Sequence, residues 1–302
     1  CMVIEQADGL NNHPRANAVA NRTMEYYRRW GIDKEITESS LEELGFGYVM
    51  GGTVTKEPRP GNAKPRVLRV KDKNALINAL GFPGNGLESA ISKISRLESK
   101  PQKAVRILSV SGTDTADIVE CHRKLEPFCD AIELNISSPN TKGLKIFQES
   151  IKLRSLLQGV NEKRTKPLLV KMPPYNSNEG TDETALNLGR ICLEEKIEGL
   201  TVSNTMPVEH IGLAVGQGGL SGSPLFENTV EMVKTYKRIF GTQLQINACG
   251  GISNGLQAYQ ALKAGASSIQ ILTSLIYEGP KVVQNINREL VQLFISNGDP
   301  RS

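Results

Sequence analysis

The sequence contains no long apolar run, and this absence argues against an integral membrane protein. No stretch of its 302 residues approaches the ~18 uninterrupted apolar residues of a membrane-spanning helix. Apolar residues nevertheless make up 39% of the chain and charged residues 23%, proportions typical of a folded globular domain rather than of a disordered chain. We therefore expect a folded protein without a transmembrane segment.

The sequence also has no large excess of either charge. It contains 36 Lys and Arg residues and 32 Asp and Glu residues, which gives a net charge of +4. The basic residues are scattered rather than massed, so we predict no nucleic-acid partner. The mild positive excess suits a small anionic ligand. Residues 1–5 lack both the basic start and the apolar core of a secretory signal, so we expect no export signal there.

Patterns for disulfides and metal ions are absent as well. The five cysteines are odd in number and no two have CxxC spacing, which argues against a disulfide framework or a cysteine-bound metal and indicates a reducing compartment such as the cytoplasm. The three histidines, at positions 13, 122 and 210, include no close pair, so no metal site is predicted. We expect all three histidines to lie on the surface or to serve in packing.

What the sequence does contain is an alternation of short apolar runs and longer amphipathic segments. The runs are almost continuously apolar, as are strands buried on both faces of a parallel sheet. With one more strand near the N-terminus they make about eight β/α units, as an α/β protein with a closed (β/α)8 TIM barrel requires. An open doubly wound sheet is the competing fold. The predicted strands are 47–50, 105–110, 131–136, 167–171, 199–203, 244–248 and 268–272, and the predicted helices are 115–125, 149–158, 183–194, 227–239, 256–264 and 282–294.

Residues 52–82 interrupt this alternation. They are rich in Pro and Gly and carry basic residues at positions 56, 59, 64, 66 and 69. This composition predicts a long structured loop that follows a strand. In a barrel such loops stand on the C-terminal face, where the chemistry occurs.

Amide, hydroxyl and amino groups follow the predicted strands. Asn135 and Asn140 flank two serines and a proline, and paired amides can grip a planar amide or carboxylate ligand; the alternative is an Asx turn that only caps the next helix. Lys171 ends the next strand, where it either points to solvent or stabilises negative charge on a reduced cofactor. Ser203 and Asn204 end another. No strand-end His, Asp or Glu offers a general base, which directs attention to a serine.

Glycine-rich segments follow the later strands. Residues 217–224 form a glycine-rich loop that is a weak signal alone. Gly250 and Gly251 follow the seventh strand and Leu272 and Thr273 end the eighth, where barrel enzymes often bind a phosphate. Paired glycines leave backbone N–H groups open to phosphate oxygens, although a tight turn without a ligand is the alternative. The pattern predicts a phosphate-bearing cofactor and a small polar substrate.

With these motifs in this order, residues 31–280 resemble the dihydroorotate dehydrogenases, the FMN-dependent enzymes of pyrimidine synthesis. The resemblance implies a single FMN-binding barrel domain over residues 31–298, preceded by an atypical N-terminal segment over residues 1–30. The motifs that carry it are Gly51-Gly52-Thr53-Val54-Thr55, Arg59-Pro60-Gly61-Asn62, Asn78-Ala79-Leu80-Gly81-Phe82, residues 135–141, residues 218–222 and Gly250-Gly251-Ile252.

The resemblance also implies a mechanism and a set of site residues. Dihydroorotate would lose a C5 proton to Ser138 and a C6 hydride to flavin N5, with Thr141 and Phe82 shaping a proton relay, because free serine is a poor base. The implied substrate-binding residues are Lys34, Asn78, Gly81, Phe82, Asn135, Asn140, Asn204 and Thr205. The implied FMN-binding residues are Lys34, Thr53, Ser109, Asn135, Lys171, Ser203, Gly222, Gly250, Gly251, Leu272 and Thr273; no metal is implied.

The electron acceptor stays open in the sequence. Ser138 at the base position resembles the membrane-associated, quinone-using class, whereas residues 108–112 and 171–175 resemble the soluble, cysteine-based class. A quinone is the leading acceptor, with fumarate and a partner subunit as alternatives, and a peripheral membrane contact and a homodimer are left open. Two other functions compete with the leading one: an FMN barrel that acts on another dihydropyrimidine, and a non-catalytic flavin-binding subunit.

Overall fold

The computed structural model describes residues 2–5, 15–17, 46–95, 105–138, 143–180 and 182–298. Its strands are β1 (Met2–Glu5), β2 (Arg15–Asn17), β3 (Tyr48–Val54), β4 (Val67–Val70), β5 (Ala75–Asn78), β6 (Val105–Val110), β7 (Ala131–Asn135), β8 (Leu168–Lys171), β9 (Gly199–Val202), β10 (Met206–Glu209), β11 (Gln217–Gly222), β12 (Gln245–Cys249) and β13 (Ser268–Ile271). Its α-helices are α1 (Gly86–Ser95), α2 (Thr115–Leu125), α3 (Ser150–Asn161), α4 (Glu183–Glu194), α5 (Phe226–Phe240), α6 (Gly255–Lys263), α7 (Thr273–Glu278) and α8 (Lys281–Ser296).

The largest sheet curls into a barrel. Seven parallel strands follow one another in the order β3, β6, β7, β8, β9, β12 and β13. Strand β1 completes the ring, because it pairs with both β13 and β3, and β2 pairs with β1. The predicted TIM-barrel fold is confirmed, with the difference that the strand nearest the N-terminus runs antiparallel to its neighbours.

The apolar runs form barrel strands because both of their faces are buried. In β7, Ile132 and Leu134 are fully buried in a cluster with residues from the surrounding helices, such as Leu153 of α3. Fully burying one such side chain contributes about 1.5–3 kcal/mol. Polar residues mark where two of the helices begin. Asp114 and Asp182 accept hydrogen bonds from backbone N–H groups in the first turns of α2 and α4, as N-cap residues do. The barrel strands and these helices lie within a few residues of their predicted positions.

The side chains inside the barrel change character along its axis. Tyr48, Met50, Ile107, Ala131 and Leu169 form an apolar cluster. One step further toward the carboxyl ends, the interior side chains are polar and equally buried. These are Ser109, Glu133, Lys171, Thr201, Asn247 and Gln270.

A second sheet lies over the carboxyl ends of the barrel strands, and we call it the roof sheet. It is antiparallel and has the strand order β10, β11, β5, β4. Leu76 and Asn78 face the space above the barrel. Ile77, on the opposite face of β5, packs with Leu213 and Leu68.

The roof sheet corrects two sequence interpretations. Residues 52–82, which we expected to be a loop, contain β4 and β5, and the expected glycine-rich loop 217–224 contains β11. The sequence also gave no sign of β10, α1 or α7. Glycine weakens a strand signal, yet here it is needed because backbones approach closely. A Cβ atom on Gly222 would lie 2.3 Å from the carbonyl oxygen of Asn74.

Among the described residues, no helix combines the length and the apolar character that a bilayer crossing requires.

Candidate active site

A cavity of about 350 Å³ lies between the carboxyl ends of the barrel strands and the roof sheet. It brings together most of the site residues that the sequence predicted. Three other predicted site residues, Lys34, Asn140 and Thr141, lie outside the described residues. The singled-out residues on its wall are Thr53, Asn78, Gly81, Phe82, Asn135, Ser138, Lys171, Ser203, Asn204, Thr205, Gly222, Gly250, Gly251, Leu272 and Thr273.

Ser109 is not among the lining residues and lies in the layer beneath them. It is 4% exposed, and its hydroxyl oxygen lies 3.1 Å from that of Thr53. Thr53 in turn accepts a hydrogen bond from the Asn135 amide at 3.4 Å. Ser109 therefore supports a wall residue from below.

Two side-chain amides are fixed against each other on one wall. Asn204 donates through Nδ2 to Asn135 Oδ1 at 3.1 Å and to Ser137 Oγ at 3.0 Å. Its Oδ1 accepts from the backbone N–H of Thr205 at 2.8 Å. Because these bonds orient both amide planes before a ligand arrives, the wall is preorganised for a planar polar ligand.

The two consecutive serines after β7 have different surroundings. Ser137 donates its hydroxyl proton to the carbonyl oxygen of Lys171 at 2.7 Å and ties β7 to β8. Ser138 lines the cavity and is 9% exposed. Ser138 thus shares one cavity with the amides of Asn135 and Asn204.

Lys171 forms part of the cavity floor although it is only 6% exposed. Its Nζ atom lies 3.4 Å from Gln270 Oε1 and 3.7 Å from Cys249 Sγ. Burial alone would lower the pKa of the Lys171 ammonium, but Cys249 and Glu133 raise it, and the net shift of the pKa is upward. The cavity thus holds a protonated amine that can stabilise negative charge on a ligand.

The opposite end of the cavity is shaped by glycines. Gly251 has φ +76°, and a Cβ atom there would lie 2.4 Å from the backbone nitrogen of Phe226. The space that a side chain would fill therefore belongs to backbone, and the glycine turn lies beside Leu272 and Thr273 on the wall. Thr273 donates its hydroxyl proton to Ser221 at 2.9 Å, and Ser221 donates to the carbonyl oxygen of Leu76 at 3.3 Å, so the backbone N–H groups of the turn are the donors that suit a phosphate group.

The mouth of the cavity includes residues that the sequence did not single out. Arg69 of β4 lies over the ring of Tyr277 at 5.2 Å, and the Tyr277 hydroxyl donates to the carbonyl oxygen of Ala75 at 2.8 Å. Val67 and Ile276 also line this part. The available signal was the short run Val67-Leu68-Arg69-Val70, but the surrounding prolines and glycines favoured a loop.

Glu133 was also missed. The strand pattern contained the signal, since outward Ile132 and Leu134 imply an inward Glu133, but the sequence alone could not show what a carboxylate would contact there.

The described histidines lie away from the cavity. His122 is buried in α2, and burial lowers its pKa to about 4. His210 accepts a hydrogen bond from the backbone N–H of Gly212 at 3.0 Å in an exposed turn. His13 lies outside the described residues. No group of three His, Cys, Asp or Glu side chains suited to a metal ion occurs in the described part of the chain.

Known proteins are similar to this chain over most of its length. The dihydroorotate dehydrogenase family model matches residues 30–294. The quinone-type dihydroorotate dehydrogenase of Pseudarthrobacter chlorophenolicus is 36% identical over 290 residues, covering 87% of this chain and 80% of that protein. The corresponding protein of Delftia acidovorans is 33% identical over 282 residues, covering 87% and 81%. A dihydroorotate dehydrogenase of Eimeria tenella, solved in complex with ferulenol, superimposes with a TM-score of 0.77 at 30% identity, covering 85% of this chain and 78% of that one.

Proposed function

The chain belongs to the dihydroorotate dehydrogenase family, and on this premise we propose that it oxidises dihydroorotate to orotate in pyrimidine synthesis, with FMN as cofactor and a quinone as electron acceptor. One observation carries the proposal: a single cavity joins an oriented amide wall, a serine hydroxyl, a buried lysine and a glycine turn. These are the groups that a planar substrate, a proton transfer, a reduced flavin and a phosphate would need.

FMN is the cofactor that the cavity suits. The glycine turn at Gly250 and Gly251, with Thr273, would hold the phosphate, and Lys171 would lie at the flavin. When bound, FMN supplies the acceptor for the hydride that leaves dihydroorotate C6. A buried ammonium with a raised pKa favours negative charge next to it, which supports a role for Lys171 in binding the reduced form.

The amide wall is the proposed substrate site. Asn135 and Asn204 present oriented donor and acceptor groups, and Asn78 lines the cavity from the roof sheet. Orotate offers ring amides and a carboxylate, which pair with side-chain amides of this kind. The same groups exclude apolar substrates, because such a substrate would leave them without partners.

Ser138 is the proposed general base that takes the C5 proton. Ser138 is among the residues that line the cavity and Ser137 is not, which favours Ser138 over its neighbour. A serine hydroxyl already carries a proton and cannot keep a second one, so as it takes the C5 proton it has to pass its own hydroxyl proton on. Thr141 and Phe82 are the proposed relay residues, and Phe82 lines the same cavity.

A quinone is the proposed acceptor because the cavity mouth combines apolar walls with one cation. Val67 and Ile276 offer apolar contact, and Arg69 offers N–H donors to a quinone carbonyl. Quinones are dissolved in membranes, so this acceptor also implies a peripheral membrane contact. The cytoplasmic location and the homodimer stay predictions, and so does the barrel domain over residues 31–298, although β1 of the barrel ring lies before residue 31.

The test is an anaerobic half-reaction followed by a panel of acceptors. We expect purified protein to be yellow, to be bleached by dihydroorotate and to be reoxidised by a quinone faster than by fumarate. Ser138→Ala should slow bleaching by about 10²–10⁴-fold while FMN stays bound, and Ser95→Ala, on an exposed helix end, should not change it.

Each competing function predicts another result. Bleaching by a different dihydropyrimidine but not by dihydroorotate would assign another substrate. Flavin binding without bleaching by any dihydropyrimidine would indicate a non-catalytic subunit. Protein that cannot be loaded with FMN would reject the proposal as a whole.

A further inference from the structure

One buried carboxylate lies beneath the cavity and has no part in the proposed reaction. Glu133 sits in the middle of β7 and is 1% exposed. Its neighbours Ile132 and Leu134 pack outward against the helices, so Glu133 points into the barrel. A buried carboxylate is costly unless its charge is balanced and its oxygens accept hydrogen bonds.

Two hydroxyl groups satisfy the oxygens of Glu133 but do not balance its charge. Thr201 donates to Oε2 at 2.7 Å, and Ser109 donates to Oε1 at 3.4 Å. The balancing charge comes from Lys171, which is the only Lys or Arg among the buried residues that the structure describes. The negative charge of Glu133 raises the pKa of Lys171 against the effect of burial.

Glu133 is therefore joined to the cavity in two ways. Its charge acts on Lys171, whose amine is on the cavity floor. Its hydrogen bond to Ser109 continues to Thr53 on the wall, at 3.1 Å. Neither route requires Glu133 to touch a ligand.

We propose that Glu133 is a positioning residue: its carboxylate balances the ammonium of Lys171 from below and thereby sets how strongly Lys171 favours negative charge on the bound flavin. This inference rests on the proposed function, because it needs FMN in the cavity. The described groups that face Lys171 are Glu133 from β7, Cys249 from β12 and the uncharged Gln270 from β13.

Glu133→Gln keeps the shape of the side chain and removes its charge. While Lys171 stays protonated, the floor then carries one more net positive charge, which favours the anionic reduced flavin. Lys171 also loses one of the two neighbours that raise its pKa, Cys249 being the other, so the pKa of Lys171 should fall. Once Lys171 is deprotonated the floor is neutral, as in the wild-type pair.

The experiment measures the two-electron reduction potential of bound FMN between ~pH 6 and ~pH 10, the span over which a lysine of lowered pKa titrates. We expect Glu133→Gln to bind reduced flavin relative to oxidised flavin about tenfold more tightly at the acid end, a potential about 30 mV more positive. The difference should disappear toward the alkaline end.

Glu126→Gln is the matched control. Glu126 is also a buried carboxylate, but it accepts from the backbone N–H groups of Thr165 and Lys166, away from the cavity. Its removal should leave the potential unchanged. Parallel curves for wild type and Glu133→Gln would overturn the inference.

A second variant covers failure of Glu133→Gln to fold or to bind FMN. Adding Lys171→Met removes the unbalanced cation, so the double variant should regain the fold, measured by urea unfolding, if the two charges form a pair. Equal failure of both variants would overturn the inference.

Failure of this inference can be told apart from failure of the proposed function. Wild-type protein that binds no FMN, or is not bleached by dihydroorotate, would reject the proposed function and this inference with it. Normal wild-type behaviour with parallel curves would reject the inference alone.

Discussion

Acidification should destabilise this protein through one buried histidine. His122 is 3% exposed, and in the described part of the chain its Nε2 atom has no hydrogen-bond partner. Burial lowers its pKa from 6.5 to about 4; Glu126, at 4.0 Å, opposes this shift without reversing it. Between these two values the unfolded chain binds a proton that the folded chain does not, so the free energy of unfolding falls as the pH falls.

The size of the effect follows from the gap between the two pKa values. One pKa unit corresponds to 1.36 kcal/mol, so full loss of this contribution amounts to about 3 kcal/mol. That is a large part of the 5–15 kcal/mol by which proteins are typically stable. The loss begins near pH 6.5 and is complete below about pH 4.

Urea unfolding at a series of pH values checks this expectation. Carboxylates titrate over part of the same range, so the informative quantity is the difference between wild type and His122→Leu, a variant that fills the site without a titrating group. We expect the two stabilities to converge, or to cross in favour of the variant, as the pH falls from 7 to ~4. A difference that does not change with pH would refute the reasoning.

Two further changes test the cavity itself. Gly251→Ala forces a side chain into the left-handed region and against the backbone of Phe226, at a cost of about 1–3 kcal/mol, so flavin fluorescence titration of the apoprotein should show FMN affinity at least about tenfold lower. Gly180→Ala also places a side chain at a positive φ, +105°, but has open space around it, and an equal loss of FMN affinity there would contradict a phosphate role for Gly251. Asn204→Ala removes the group that orients Asn135 and should raise KM for dihydroorotate about tenfold with unchanged FMN affinity; an unchanged KM would remove Asn204 from the substrate site.

The barrel was predictable because its strands have a simple physical signature. A strand such as β6 is buried on both faces, so it reads as a short apolar run. Parallel strands end at the same side of a barrel, and this geometry brings Asn135, Lys171 and Gly250 together from distant parts of the sequence. The roof sheet lacks that signature, because its strands are short and contain glycines that the packing requires.

The interior of the site was less accessible to sequence reasoning. A pattern of apolar residues indicates which way a side chain points, but not what it meets. It could not show that Glu133 and Lys171 share the barrel interior or that Ser137 donates its hydroxyl proton to the carbonyl oxygen of Lys171. These contacts depend on the distances between side chains of neighbouring strands, which only the folded structure gives.

The roof sheet joins segments that are far apart along the chain. Asn78 of β5 donates to the carbonyl oxygen of Gly219 in β11, and 141 positions separate the two residues. Pairing of such remote strands carries a large entropic cost and comes late when a chain folds. Closure of the roof sheet over the cavity is therefore a late step of folding, and the change in FMN fluorescence on binding would report that step during refolding.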